Sequence, residues 1–129
     1  MGIHHVAFAH PEGAGAHDVL NDLFGLPVVH TERADGMVER MIDTGHGYLQ
    51  TLEAGSGEGV INRFVERNGG RLHHVALEVE DIAGAVSELV DRGVEMVDKE
   101  PRRGGDGTMI AFIHPNATAG MLVELVEVA

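Results

Sequence analysis

A short apolar strand carrying a pair of histidines occurs twice in this chain, and the repetition constrains the rest. His4-His5-Val6-Ala7-Phe8-Ala9 lies near the start, and His73-His74-Val75-Ala76-Leu77-Glu78-Val79 lies in the middle. Side chains alternate across a strand, so His5, Ala7 and Ala9 share one face while Val6 and Phe8 share the other. In the second copy His74, Ala76 and Glu78 stand opposite Val75, Leu77 and Val79. One imidazole at the same strand position in each half implies a duplicated unit that brings two imidazoles together.

The elements after each of these strands repeat as well. A helix is expected over roughly 15 to 24, burying Val19, Leu20, Leu23 and Phe24 and stopped by Gly25. Pro27 to Thr31 reads as a short strand. Asp35-Gly36 is a turn, and strands fit 37 to 43 and 47 to 53. After the second His pair, Asp81 can cap a helix carrying Ile82, Val86, Leu89 and Val90, ended by Gly93. Gly93 lies 19 residues after His74, and Gly25 lies 20 after His5. Val94 to Val97 reads as a short strand, Pro101 to Gly107 as a Gly- and Arg-rich loop, and Met109 to Ile113 and Met121 to Val128 as the last strands. Between the halves, Val60, Ile61, Phe64 and Val65 keep helical spacing as far as Gly69-Gly70. The expected architecture is α+β: one domain over 1–129, made of two βαβββ repeats (about 1–54 and 70–129) joined by a short helix. Their strands are expected to pair in a mixed sheet.

Composition sets outer bounds on function. Of 129 residues 43% are hydrophobic, but aromatics are 4% and Trp is absent, so the core is mainly aliphatic. Zero Cys excludes disulfides and thiolate metal sites and fits a cytoplasmic protein. A formal charge of -12 argues against nucleic acid as a partner. No apolar run reaches the length of a membrane span.

The fourth strands of the two halves, Tyr48-Leu49-Gln50-Thr51-Leu52-Glu53 and Leu122-Val123-Glu124-Leu125-Val126-Glu127, align so that Gln50 matches Glu124. These lie 45 and 50 residues beyond their histidines. His5, Gln50, His74 and Glu124 form an oxygen and nitrogen donor set for one divalent ion: cobalt, manganese, nickel, iron or zinc. A lone strand histidine is usually just hydrogen-bonded, and Glu124 alone reads as a surface residue; the repetition at matched positions favours ligation. His4 and His73 point to the opposite faces and read as structural or exposed. His10, His17, His30 and His46 read as solvated. His114, before Pro115, reads first as a structural turn residue and second as a substrate contact.

These residues resemble the vicinal oxygen chelate superfamily, which includes glyoxalases, bleomycin resistance proteins and dioxygenases. Within it the second half is similar to the methylmalonyl-CoA epimerases through Leu72 to Val79, Glu100-Pro101-Arg102-Arg103-Gly104, Ile110 to Pro115 and Gly120 to Val126. The first half matches through His5-Val6-Ala7, Gly25, Gly36-Met37-Val38-Glu39 and Tyr48-Leu49-Gln50. The resemblance implies metal ligation by His5, Gln50, His74 and Glu124, with cobalt the first expectation. It implies a curved mixed sheet around the metal site, Glu39 as a catalytic carboxylate, Glu124 as a second acid–base group, an acyl-CoA substrate and a homodimer. Epimerisation at C2 of such a thioester needs a base, an acid and stabilisation of an enolate. Glu39 suits the base, falling between Met37 and Met41 on one strand face. Arg102 and Arg103 suit the phosphates of the substrate. The alternatives are a glyoxalase-type isomerase, an iron dioxygenase using His5, His74 and Glu124, and a metal-free drug-binding protein.

Overall fold

The computed structural model describes all 129 residues, in eight strands and three α-helices. They run β1 (Gly2–His10), α1 (Ala16–Phe24), β2 (Val28–Ala34), β3 (Met37–Asp43), β4 (Tyr48–Glu53), α2 (Val60–Asn68), β5 (Arg71–Glu78), α3 (Ile82–Asp91), β6 (Arg102–Arg103), β7 (Met109–Ile113) and β8 (Val123–Glu127). The chain divides into two compact units, one spanning His5–His73 and the other His74–Ala129 together with Met1–His4.

In the first unit the strand order is β2-β3-β4-β1, with β1 parallel to β4 and the other pairs antiparallel. The second unit repeats it as β5-β8-β7-β6, with β5 parallel to β8 and the rest antiparallel. The registers match too. Ala7, two residues after His5, stands opposite Gln50, and Ala76, two after His74, stands opposite Glu124. The alternation of the pleat therefore gives each histidine and its fourth-strand partner the same face.

The helix signals are local and behave as physics dictates. Gly25 ends α1 at φ 68, the left-handed region open to glycine, and its N–H donates to the Asn21 carbonyl. The Asp81 carboxylate caps α3 by accepting from the Gly84 N–H. Asp35 and Gly36 both take positive φ, as a two-residue hairpin turn requires. The tip of that hairpin rests on the loop after β4. A Cβ at Gly55 would collide with the Gly36 carbonyl oxygen, and one at Gly59 would lie 2.6 Å from that of Asp35. Asn62 of α2, itself buried, ties the loop down: its Oδ1 accepts from the Gly55 N–H at 2.9 Å.

The two units differ in what lies under their helices. In the second, Ile82 and Val86 of α3 pack with Met96, Ala111, Ile113, Val123 and Leu125, flanked by Val75 and Leu77. In the first, α1 buries no residue, and the expected burial of Val19, Leu23 and Phe24 is corrected: they are 51%, 64% and 68% exposed. The strands explain it. Where one ladder offers Leu77, Leu125 and Ala111 in a row, the other offers Phe8, Thr51 and Arg40. A row with a hydroxyl and a guanidinium cannot seat a continuous apolar helix face. The apolar core of the first unit instead forms against α2, where Ile61 and Val65 pack with Ala7, Ala9, Leu52 and Ala54. The linking helix is thus part of the first unit.

Three further expectations change. His10 is not solvated but buried, its Nδ1 bonded to the Pro11 carbonyl at 2.8 Å and its ring stacked on Phe8. Residues 94 to 97 form a single bridge, Met96 to Ile113, because the N–H groups of Val97 and Asp98 both go to the Phe112 carbonyl and break the ladder. The Arg-rich segment is partly a strand, with Arg102 and Arg103 paired to Ile110 and Met109. No helix is long and apolar enough to cross a membrane.

The ion pair in the first unit sets a pH dependence. Glu53 accepts from the Gly13 backbone N–H at 2.8 Å and from Arg40 Nη1 at 2.7 Å. The backbone bond first, and the guanidinium next, hold its carboxyl below its ordinary value of 4.5. A carboxyl with a lowered folded-state pKa contributes stability in full above its unfolded pKa, and loses it as pH falls through the folded value. Glu53→Gln is therefore expected to lower the denaturant midpoint at pH 7, and its deficit against the parent should shrink as pH falls below about 4.5. A deficit equal at pH 7 and pH 3 would refute this.

Candidate active site

The donor residues sit at equivalent places in the two units. In the first, β1 carries His5, 5% exposed, and β4 carries Gln50, 6% exposed. Gln50 Nε2 donates to Met41 Sδ at 3.4 Å, and its Oε1 is buried with no hydrogen-bond partner. In the second, His74 Nε2 lies 3.3 Å from Glu124 Oε1, both side chains being almost wholly buried. The His74 ring meets Phe112 edge-on, centroids 5.3 Å apart at 87°.

These residues fit a divalent cation on the chemistry of the donors. A buried amide oxygen without a hydrogen bond is costly unless something satisfies it, and a cation does so. His5 and Gln50 offer an imidazole and a neutral oxygen in one unit, and His74 and Glu124 an imidazole and a carboxylate in the other. Mixed nitrogen and oxygen donors suit first-row transition metals.

The other residues singled out in the sequence occupy varied positions. Glu39 is half-buried on β3 between Met37 and buried Met41, facing Leu52 across one ladder and Glu32 across the other. Glu32 in turn contacts His30 Nε2 at 2.7 Å, so His30 is paired and half-buried, not solvated. Arg102 is about half exposed; its Nε donates to Asp98 Oδ1 at 3.0 Å and its guanidinium lies 5.8 Å from the Phe112 ring centroid. Arg103 is exposed. His114 acts in its turn, its Nδ1 accepting from the Asn116 N–H at 3.0 Å. His73, on the face opposite His74, meets the Phe64 ring edge-on.

Met41, Asp98 and Phe112 escape a reading by residue type. Their signal lies in register: Met41 stands opposite Gln50 and Phe112 opposite Glu124. Asp98 braces that second partner, its Oδ2 accepting from the Phe112 N–H at 2.8 Å.

A family model described as the Glyoxalase/Bleomycin resistance protein/Dioxygenase superfamily matches residues 4–112. The chain belongs to this superfamily. Among curated relatives, the mitochondrial methylmalonyl-CoA epimerase of Dictyostelium discoideum is 32% identical, over 97% of this chain and 77% of its own. The ethylmalonyl-CoA/methylmalonyl-CoA epimerase of Cereibacter sphaeroides is 33% identical, over 98% of this chain and 97% of its own. A solved methylmalonyl-CoA epimerase in complex with methylmalonyl-CoA and NH4+ superposes with a TM-score of 0.90 at 32% identity, covering 99% of this chain and 94% of its own. The duplicated βαβββ fold of the superfamily is the fold of this chain.

In this superfamily member the strand faces separate the two neighbouring histidines, and that separation is testable. Removing one imidazole ligand costs a metal site much of its affinity, so His74→Ala is expected to weaken divalent-metal binding steeply. His73→Ala should leave it unchanged. Equal loss in both variants, by calorimetric titration with cobalt, would show the assignment of faces to be wrong.

Proposed function

We propose that this protein is a metal-dependent epimerase that interconverts the C2 epimers of methylmalonyl-CoA or a closely similar branched acyl-CoA. The likeness, along nearly the whole chain, to a solved epimerase holding methylmalonyl-CoA carries the reading. His5, Gln50, His74 and Glu124 hold one divalent ion, cobalt first and manganese, nickel, iron or zinc after it. Bound there, the ion supplies Lewis-acid stabilisation of the charge that develops on the thioester oxygen when C2 loses its proton.

The chain's own groups move the proton. Glu39 takes the C2 proton from one face as its carboxylate; the electron pair left behind spreads onto the thioester carbonyl. A proton returned to the opposite face by Glu124 completes the inversion, and the two carboxyls exchange roles in the reverse direction. The Met37 and Met41 side chains flank Glu39 along its strand face, and Glu32 lies across the ladder from it. Arg102, Arg103 and His114 bind the substrate, the arginines by charge to its phosphates.

Two properties of the assembly belong to the same reading. The absence of cysteine suits a reducing compartment, and the cytoplasm is the proposed one. The exposed Val19, Leu23 and Phe24 of α1 support a homodimer, since such a patch is best covered by a partner. Light scattering across micromolar concentrations should give twice the chain mass of 13.8 kDa. A constant monomer mass would remove the dimer from the proposal.

The mechanism is tested at Glu39. General base catalysis contributes about 10²- to 10⁴-fold, so Glu39→Gln should slow turnover of methylmalonyl-CoA by about that factor. Bound metal should be unchanged, because Glu39 is not a ligand. Parental turnover with bound metal would place the base elsewhere, with His114 the next group to replace. The reading as a whole rests on exchange of the C2 proton for deuterium. If the metal-loaded protein exchanges it in no branched acyl-CoA of a panel, the epimerase assignment fails.

A further inference from the structure

We infer that Met41 and Phe112 are paired positioning residues, one in each repeat, that aim the donor atoms of Gln50 and His74 at the metal. The inference rests on the proposed metal site and adds what fixes the ligands. The two residues hold the same place in the duplicated plan: Met41 is the ladder partner of Gln50, and Phe112 that of Glu124.

In the first repeat the issue is which end of an amide faces a cation. A glutamine amide has a donor end and an acceptor end, and only the oxygen can ligate. A thioether sulfur can accept a hydrogen bond but cannot give one. Gln50 Nε2 donates to Met41 Sδ at 3.4 Å, which commits the nitrogen end and leaves Oε1 without a hydrogen-bond partner. The amide turned over would set oxygen against sulfur, acceptor against acceptor, and present N–H groups to the ion. The methionine thus selects the ligating end. Both residues are buried, so water does not compete for the contact.

In the second repeat the issue is the rotation of an imidazole. The Phe112 ring meets the His74 ring edge-on at 5.3 Å and 87°, an arrangement aromatic quadrupoles favour. It limits turning about the bond to the imidazole and keeps Nε2 on the side of Glu124, 3.3 Å from Oε1. Phe112 is itself fixed twice by one carboxylate. Asp98 Oδ2 accepts from its backbone N–H at 2.8 Å, and Asp98 Oδ1 accepts from Arg102 Nε at 3.0 Å, holding the guanidinium near the Phe112 ring. Arg102 therefore has a structural engagement beside any role in binding substrate.

Groups that orient metal ligands are worth about 10- to 100-fold in metal affinity. They are usually carboxylates or carbonyls; here a sulfur and a ring take the part. The test is calorimetric titration of the metal-free, full-length protein with cobalt(II) alone, together with thermal melting of each variant. Met41→Leu conserves volume but removes the acceptor, and should lower cobalt affinity about 10-fold or more with little change in melting temperature. Phe112→Leu should lower affinity similarly, and Phe112→Tyr should restore it by keeping the ring. Should Phe112→Leu fail to fold, Met41→Leu carries the test alone. Parental affinity in the leucine variants, with binding lost in His74→Ala, would overturn the positioning role and leave the metal site standing. Parental affinity in His74→Ala would overturn the metal site itself, and the positioning role with it.

Discussion

The register of two parallel strand pairs is the constraint on which the site depends. Ala7 must stand opposite Gln50, and Ala76 opposite Glu124, for each histidine to share a face with its fourth-strand partner. The pleat has a period of two, so a slip of one residue in either pair would send Gln50 or Glu124 to the other face. Small residues at the crossing points help to prevent it. Ala7 and Ala76 are both fully buried, and larger side chains there would crowd the donors beside them. The register is held further by groups at the ends of the ladder. The Ala54 N–H donates to the His10 carbonyl at the far end of β1, and the Val79 N–H donates to the Val126 carbonyl at the far end of β5.

The duplication has diverged on the face away from the donors. One repeat keeps an aliphatic layer under α3 and reads as scaffold. The other replaces that layer with His10, Thr51 and the Arg40–Glu53 pair and draws its apolar core from α2. A largely buried ion pair contributes little net stability against an apolar alternative. What it supplies here is direction. Arg40 lies next to Glu39 and Met41 on β3, and its bond to Glu53 of β4 crosses the same pair of strands that carries Met41 opposite Gln50. A charged clasp across two strands resists a register slip in a way that interchangeable leucines do not.

Much of this fold is legible in the sequence, because period and punctuation are local. The strand pairs, Gly25, Asp81, the Asp35-Gly36 turn and the bounds of β3 and β7 come from alternation, capping and turn chemistry. The matched positions of Gln50 and Glu124 come from aligning two repeats, and the ladders put them in equivalent registers. What the sequence conceals depends on a neighbour distant along the chain. The face of α1 reads as buried because its spacing is apolar; it is exposed because Thr51 and Arg40 occupy the strands. His10 reads as solvated but is buried, its carbonyl accepting from the Ala54 N–H and its Cβ lying beside Gly70. The strand expected at 94 to 97 shrinks to one bridge because Val97 and Asp98 share a single carbonyl.

The same equivalence bears on where the second proton carrier of the proposed reaction can be. Each repeat offers two positions of interest, one on its third strand and one on its fourth. In the first repeat these are Glu39 and Gln50; in the second they are Ile110, the ladder counterpart of Glu39, and Glu124. Inversion by two groups needs a proton acceptor on one side of the carbon and a proton donor on the other, yet Ile110 is a buried hydrocarbon and offers neither. The only ionisable group the second repeat provides at these positions is Glu124. Its counterpart, Gln50, cannot ionise. Each repeat therefore contributes one carboxylate and one neutral group, from opposite strands of the plan. In the proposed reaction Glu39 is the base from the first repeat, and the second repeat supplies Glu124, whose Oε1 lies 3.3 Å from His74 Nε2. The departure from symmetry at these four positions, Glu39 against Ile110 and Gln50 against Glu124, is what leaves each repeat with one ionisable group and one neutral group there.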